Sequence, residues 1–240
     1  LSWRCSAPVE EASEIFSVSL DLPKMLYQAL CFEAMSTVVP AVRAFLALLT
    51  LTAIGLQLLI HIGASYDVLN FFSYFTNLSN LFAAIVLLWS ATIRASRARA
   101  LDVARFLSAV NMAVVGIVFV VLLRDADLGA LRPWVNVVLH YVMPVAVVLD
   151  WLIRPPRFAL AGRDLGLALL FPAVYLVYVL LRGAGMGWYP YPFLDPANVG
   201  GYGGVAVYSL GIFATFLVVG SVLFALGNRL ARDTPAGSVA

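Results

Sequence analysis

The sequence predicts an all-α polytopic membrane protein: a six-helix transmembrane bundle with both termini cytoplasmic. Three observations predict it. The 240-residue chain is 62% hydrophobic and only 12% charged, against about 25% charged in an ordinary soluble domain. Its apolar residues fall in six blocks, each long enough to cross a hydrocarbon layer of about 30 Å. Its arginines concentrate in alternate connecting segments, as orientation in a bilayer requires. No room remains for a separate soluble domain.

The first 34 residues differ from the rest. They hold the only lysine (Lys24), both cysteines (Cys5 and Cys31) and the acids Glu10, Glu11, Glu14, Asp21 and Glu33. Met35 then opens a short polar lead, Arg43 and an apolar run. Residues 1–34 are therefore expected to be a non-native or disordered extension. Residues 35–232 form the membrane domain, and residues 233–240 a disordered tail. Neither cysteine lies in a CxxC pair, so no disulfide framework, zinc site or other metal or cofactor is expected. No basic cluster interleaved with aromatics points to nucleic acid.

The spans are read at residues 38–62, 69–93, 104–123, 134–153, 165–181 and 205–226, with no convincing internal repeat. Arg94, Arg97, Arg99 and Arg105 follow the second span; Arg154, Arg157 and Arg163 follow the fourth; Arg229 and Arg232 follow the sixth. The first loop has no arginine. The third balances Arg124 and Arg132 with Asp125 and Asp127, and the fifth has only Arg182. These three loops are expected to face outward.

His140 stands in the fourth apolar run, where an ionisable side chain is costly and marks a functional candidate. Asn136, His140 and Pro144 share one helical face at i, i+4 and i+8. Asp150 lies ten residues further, about 15 Å along a helix, too far to touch His140 and expected at the inner interface near Arg154. In the second run, Asn70, Ser73, Asn77 and Asn80 follow helical spacing, with Thr76 at the edge of the stripe. Such amides and hydroxyls often serve as glue between membrane helices, and Ser73 and Ser79 fit that role. Counted from the outer ends of their spans, Thr76 is about 10 Å deep and His140 about 9 Å. Depth therefore permits a Thr–His pair. Residues 187–204, GWYPYPFLDPANVGGYGG, cannot be helical through Pro190, Pro192 and Pro196. Their aromatics suit an interfacial anchor or a lid over a polar pocket, with Asp195 available as an acceptor. His61 ends the first span on the same side and suits the interface.

YFTNLSN in span two, NVVLHYVMPVAVVLDWL in span four, and YPYPFLDP with GYG before span six resemble the bacterial six-span Pr-six-Pr family, over about residues 38–227. That family is similar to the eukaryotic androgen-induced protein family, whose members are described as threonine hydrolases that cleave fatty acid esters of hydroxy fatty acids within the membrane. The resemblance implies Thr76 as nucleophile, with Ser79 a rival in register, and His140 as base. A threonine hydroxyl needs such a base within reach. Asn136 or a backbone carbonyl would fix the imidazole tautomer, and Asn77 or Asn80 would donate to a developing oxyanion. The supporting polar pocket is thus Ser73, Asn77, Ser79, Asn80, Asn136 and Asp195, and the partners are membrane lipids, including a lipid ester substrate. Two other classes fit the same residues. In a transporter or small-molecule binding protein, the polar stripe would line a path with His140 titrating, continued by Asn111. In a structural membrane protein it would hold helices together. Arginine in excess of lysine, with abundant alanine and valine, fits a GC-rich bacterial genome and a plasma-membrane location.

Overall fold

The computed structural model describes residues 17–92, 99–126 and 129–232, with side chains between residues 37 and 231. Residues 1–16 of the expected extension, the 233–240 tail, Arg94, Arg97 and Asp127 lie outside the described residues. Helix α1 runs Ser17–Gly63, α2 Val68–Phe72 and α3 Phe75–Thr92. Helix α4, Arg99–Val118, continues into a π-helical turn, Phe119–Leu123. Helix α5, Pro133–Val137, passes through a second π turn, Val138–Val142, into α6, Met143–Ile153. Helix α7 is Gly162–Met186 and α8 Tyr202–Arg232. No strand occurs among the described residues. Six helical stretches are long and apolar enough to cross a membrane.

Burial sorts these six by position. The second and third spans, Phe75–Thr92 and Arg99–Leu123, are each 56% buried, against 22–28% for the first, fifth and sixth. Helix α4 is the hub, packing on α3, α6, α7 and α8, while α1 lies against α3. The peripheral helices turn large apolar side chains outward, among them Phe45, Leu59, Val174, Leu181, Val207 and Leu210. Apolar residues inside and outside alike are the pattern of a bundle whose solvent is lipid.

The second span departs from the expected continuous helix over 69–93. The chain breaks at Ser73–Tyr74, so the stripe of Asn70, Ser73, Asn77 and Asn80 is divided between two helices. Asn70, on α2, accepts from Arg182 at 2.7 Å.

At the end of the bundle where α4 begins and α6 finishes, charges are buried rather than displayed. Arg43 donates to both Asp150 oxygens, at 2.7 and 3.2 Å. Arg105 donates to Asp150 Oδ2 at 2.9 Å and to the Asp150 carbonyl at 3.0 Å. Both arginine side chains are about 95% buried, at 5% and 4% exposure. Asp150 lies by Arg154, as the sequence placed it, and its carbonyl accepts from Arg154 N at 3.1 Å; the partners of its carboxylate, Arg43 and Arg105, are on the first and third spans. Arg43 also donates to the Ser90 carbonyl at 3.3 Å, and Asp102 lies 3.9 Å from Arg105; Asp150 is the one carboxylate that meets both arginines, so it ties three helices together. Asp102 accepts from the backbone of Arg157 at 2.8 Å and Phe158 at 3.2 Å, and Arg99 pairs with Asp164 at 2.6 Å. These contacts fix the connection from α6 to α7.

Gly116 permits the closest helix approach near the middle of the bundle. A Cβ there would lie 2.9 Å from Pro144 Cβ, with rigid ring atoms on one side and backbone on the other. Gly116→Ala is expected to destabilise the protein by about 1–3 kcal/mol through overpacking, read as a lowered thermal midpoint in detergent.

Candidate functional site

The break at Ser73–Tyr74 exposes the first N–H groups of α3, which no residue of its own helix can satisfy. Distant tyrosines satisfy them. The Tyr175 hydroxyl accepts from Phe75 N at 3.2 Å and donates to the Ser73 carbonyl at 2.7 Å. The Tyr191 hydroxyl accepts from Thr76 N at 3.2 Å and lies 3.5 Å from Thr76 Oγ1. Asn77 closes the turn by donating to the Phe71 carbonyl at 2.8 Å. Thr76 is thus presented in the first turn of an eighteen-residue helix whose N-terminus is buried.

His140 sits in the π turn, a feature often found at functional sites. Pro144 explains part of it, because proline has no N–H to return to the preceding turn. The Met143 N–H bonds back five residues to Val138, leaving the Leu139 carbonyl for another donor. Asn80 supplies it: its side-chain nitrogen donates to Leu139 O at 3.2 Å and to Thr76 O at 2.9 Å. One amide therefore holds the carbonyl of Thr76 and that of the residue preceding His140. This bond makes the second and fourth spans neighbours at the level of both residues. His140 Nδ1 lies 3.3 Å from the Asn136 carbonyl. A carbonyl only accepts, so Nδ1 carries the proton and Nε2 the lone pair. Phe119 stacks on the ring at 4.1 Å and 24°, which fixes its plane.

Thr76 and His140 both wall a cavity of about 350 Å³, together with Gln57, His61, Asn77 and Tyr191. A second, apolar cavity of about 90 Å³ lies among α4, α7 and α8, lined by Val114, Val118, Leu176, Ile212 and Phe216. Thr76, Phe119, Leu123 and Tyr191 wall both. Thr76 therefore stands at the boundary between a polar chamber and a greasy one. Trp188, Pro190, Tyr191 and Pro192 of the loop between α7 and α8 complete the polar chamber.

That loop is pinned. Gly187 takes φ +67, as the left-handed end of α7 needs. Gly183 has the Tyr189 ring against it, and a Cβ would overlap the ring atoms. Gly183→Ala is expected to displace the loop, lowering stability by about 1–3 kcal/mol and speeding proteolysis within residues 187–201; limited proteolysis of the solubilised protein checks this.

The expected pocket residues separate. Among them, Asn77 lines the cavity with Thr76 and His140, and one of its amide hydrogens is uncommitted. Asn80 is fully buried, and both its amide hydrogens are taken by carbonyls, so it is a link between helices rather than a donor to ligand. Ser79 is fully buried, has no partner for its hydroxyl and does not line either cavity. Ser73 donates to the Leu69 carbonyl and lies 2.9 Å from the Tyr178 hydroxyl. Asn136 reaches His140 through its backbone, not its side chain. Asp195 accepts from Ala197 N and Asn198 within its own turn and does not join the pocket. His61, read as interfacial, lines the cavity, and its Nδ1 lies 3.0 Å from the Gln57 carbonyl. Gln57 itself accepts from Arg132 N at 3.0 Å and donates to Ala130 O at 3.0 Å. Sequence reasoning missed Gln57 and Tyr175, and read Tyr191 only as one of the aromatics of an interfacial or lid-forming loop. Their only signal was polar groups in apolar or aromatic runs, which does not reveal a partner.

These features define a class: a six-span helical membrane protein with a polar cavity that has a threonine and a histidine in its wall. The FAR-17a/AIG1-like protein family matches residues 49–225, and the chain belongs to that family. The matched stretch contains both cavity residues, the π turn at His140 and the loop between α7 and α8. No curated protein and no solved structure matches the chain.

Proposed function

We propose that this protein is an intramembrane hydrolase of fatty acyl esters, of the Pr-six-Pr branch of its family, in a bacterial plasma membrane. The observation that carries this reading is that Thr76 and His140 wall one cavity from two adjacent helices. Thr76 supplies the nucleophilic hydroxyl. His140 supplies the base, through the nitrogen left unprotonated when Nδ1 donates to Asn136. The chemistry is acyl transfer in two halves. The Thr76 oxygen attacks the ester carbonyl while its proton passes to His140. The tetrahedral species then expels the alcohol, which takes that proton. Water, activated by the same imidazole, cleaves the acyl-threonine to a carboxylic acid and free enzyme.

The apolar chamber beside Thr76 suits an acyl arm, and the polar chamber suits the ester group and water. Arginine distribution favours cytoplasmic termini, which sets the polar chamber toward the outer leaflet. There a lipid ester enters laterally between helices. A C-terminal reporter fusion active only in the cytoplasm supports this sidedness.

The purified full chain in nanodiscs tests the activity against a panel of fatty acyl esters, including esters of hydroxy fatty acids. Hydrolysis above the background of empty nanodiscs supports the reading. No release of fatty acid from any member overturns it.

A further inference from the structure

We propose that Tyr191 is a third catalytic residue, whose hydroxyl, with the free amide hydrogen of Asn77, binds the oxyanion formed when Thr76 attacks an ester carbonyl. This rests on the hydrolase reading above and adds to it a component of the site.

The geometry carries the argument. Tyr191 walls both chambers, as does Thr76, and its hydroxyl is beside Thr76 at that boundary. The hydroxyl oxygen is occupied as an acceptor by Thr76 N–H at 3.2 Å. Its own proton points away from Thr76 N, toward the neighbouring Tyr175 hydroxyl or Thr76 Oγ1, and the latter, at 3.5 Å, is a loose partner from which a developing oxyanion can take it. When Oγ1 becomes bonded to carbon, the new oxyanion is two bonds away from it, on the same carbon, within reach of the same O–H. No proton leaves Tyr191: the carbonyl π pair moves onto oxygen, the phenol donates a hydrogen bond, and collapse returns the pair to the carbonyl. The helix α3 N-terminus at Thr76 adds a favourable dipole for developing negative charge.

The ring is held for the task. Phe193 stacks on it at 5.1 Å and 6°, and Tyr74 meets it edge-on at 5.7 Å. Burial pushes its pKa up from the ordinary tyrosine value, so the phenol stays protonated and remains a donor. Asn77, anchored at 2.8 Å on the Phe71 carbonyl, lines the polar chamber and has a second hydrogen to give. Preorganised donors of this kind act where water is excluded. The Pro-flanked loop thereby becomes a part of the catalytic apparatus rather than only a cover.

The test uses the purified full chain in nanodiscs with a matched pair of fatty acyl esters, one with a C=O and one with a C=S group. Sulfur accepts hydrogen bonds poorly, so an oxyanion donor contributes to the oxygen ester selectively. Tyr191→Phe removes only the hydroxyl. It is expected to lower kcat on the oxygen ester about 100-fold, with KM within about twofold, and to shrink the oxygen-to-sulfur rate ratio about 10-fold. Asn77→Ala should shrink the same ratio. A Tyr191→Phe variant that keeps kcat within twofold overturns the role. So does one that loses rate equally on both esters, because that is the signature of displaced structure. Thr76→Ala, run alongside, separates the two proposals. Undiminished hydrolysis by Thr76→Ala overturns the nucleophile assignment and this role with it. Loss in Thr76→Ala with an unchanged ratio in Tyr191→Phe overturns the Tyr191 role alone.

Discussion

Thr76→Ala is expected to lower ester hydrolysis by at least about 10⁴-fold, and His140→Ala by a comparable factor. The hydroxyl and the imidazole act as one unit, so removing either removes the attack; the double variant should be no slower than the worse single variant. Thr76→Ser keeps the hydroxyl and should retain measurable activity. Ser79→Ala is the contrasting control. Its hydroxyl is buried and does not face either cavity, so its rate should stay within about twofold. Covalent labelling of solubilised membranes by a fluorophosphonate probe reads the same series without a known substrate. Labelling should vanish in Thr76→Ala and His140→Ala and persist in Ser79→Ala. Persistence of label in Thr76→Ala would remove that residue as the nucleophile.

Asp150→Ala carries the largest expected effect on stability, a loss of about 3–5 kcal/mol. The carboxylate is the acceptor for Arg43 and Arg105, both buried. Removing it leaves two buried guanidinium groups with only the Ser90 carbonyl (3.3 Å from Arg43) and Asp102 (3.9 Å from Arg105) nearby, and repulsion between the arginines is no longer offset by the carboxylate they shared. The expected readout is failure to accumulate, or a large drop in thermal midpoint in detergent. Replacing the whole triad with apolar residues of similar size (Arg43→Met and Arg105→Met with Asp150→Leu) should recover most of the loss. Buried ion pairs are costly to break but often replaceable as a set. Asp150 lies ten residues from His140, about 15 Å along the helix, so hydrolysis per folded molecule should be unchanged in any variant that accumulates. A triad-free variant that folds but lacks activity would place this network in the mechanism.

The two results bear on different ends of the molecule. One end holds hydroxyls, amides and imidazole around a cavity; the other holds buried charges that pair with one another. The sequence showed both sets of residues, and it treated them unevenly. His140 was legible because a histidine in an apolar run has one obvious cost. Thr76 was legible as the edge of a polar stripe at the depth of His140, and through a family resemblance. Arg105 was read as a topology signal and Arg43 as the lead into the first span, since an arginine near a span end reads the same whether it faces water or a partner helix. Asp195 looked available because acidic residues in loops usually are. Its own turn consumes it through Ala197 and Asn198, a local hydrogen bond that Asp makes readily in such sequences.

The sequence by itself determined the all-helical fold class and the six spans. Those follow from the length of apolar runs and the 1.5 Å rise of a helix, both properties of the chain read in one dimension. It did not determine where the second span begins. Helical spacing runs unbroken from Asn70 to Asn80, yet the backbone opens at Ser73–Tyr74. The freed groups are satisfied by Tyr175 and Tyr191, about a hundred residues away in sequence. In a bilayer an interrupted helix survives only where other parts of the protein supply its missing hydrogen bonds. Tertiary structure alone could decide which tyrosines do so, and with them which hydroxyl stands beside Thr76.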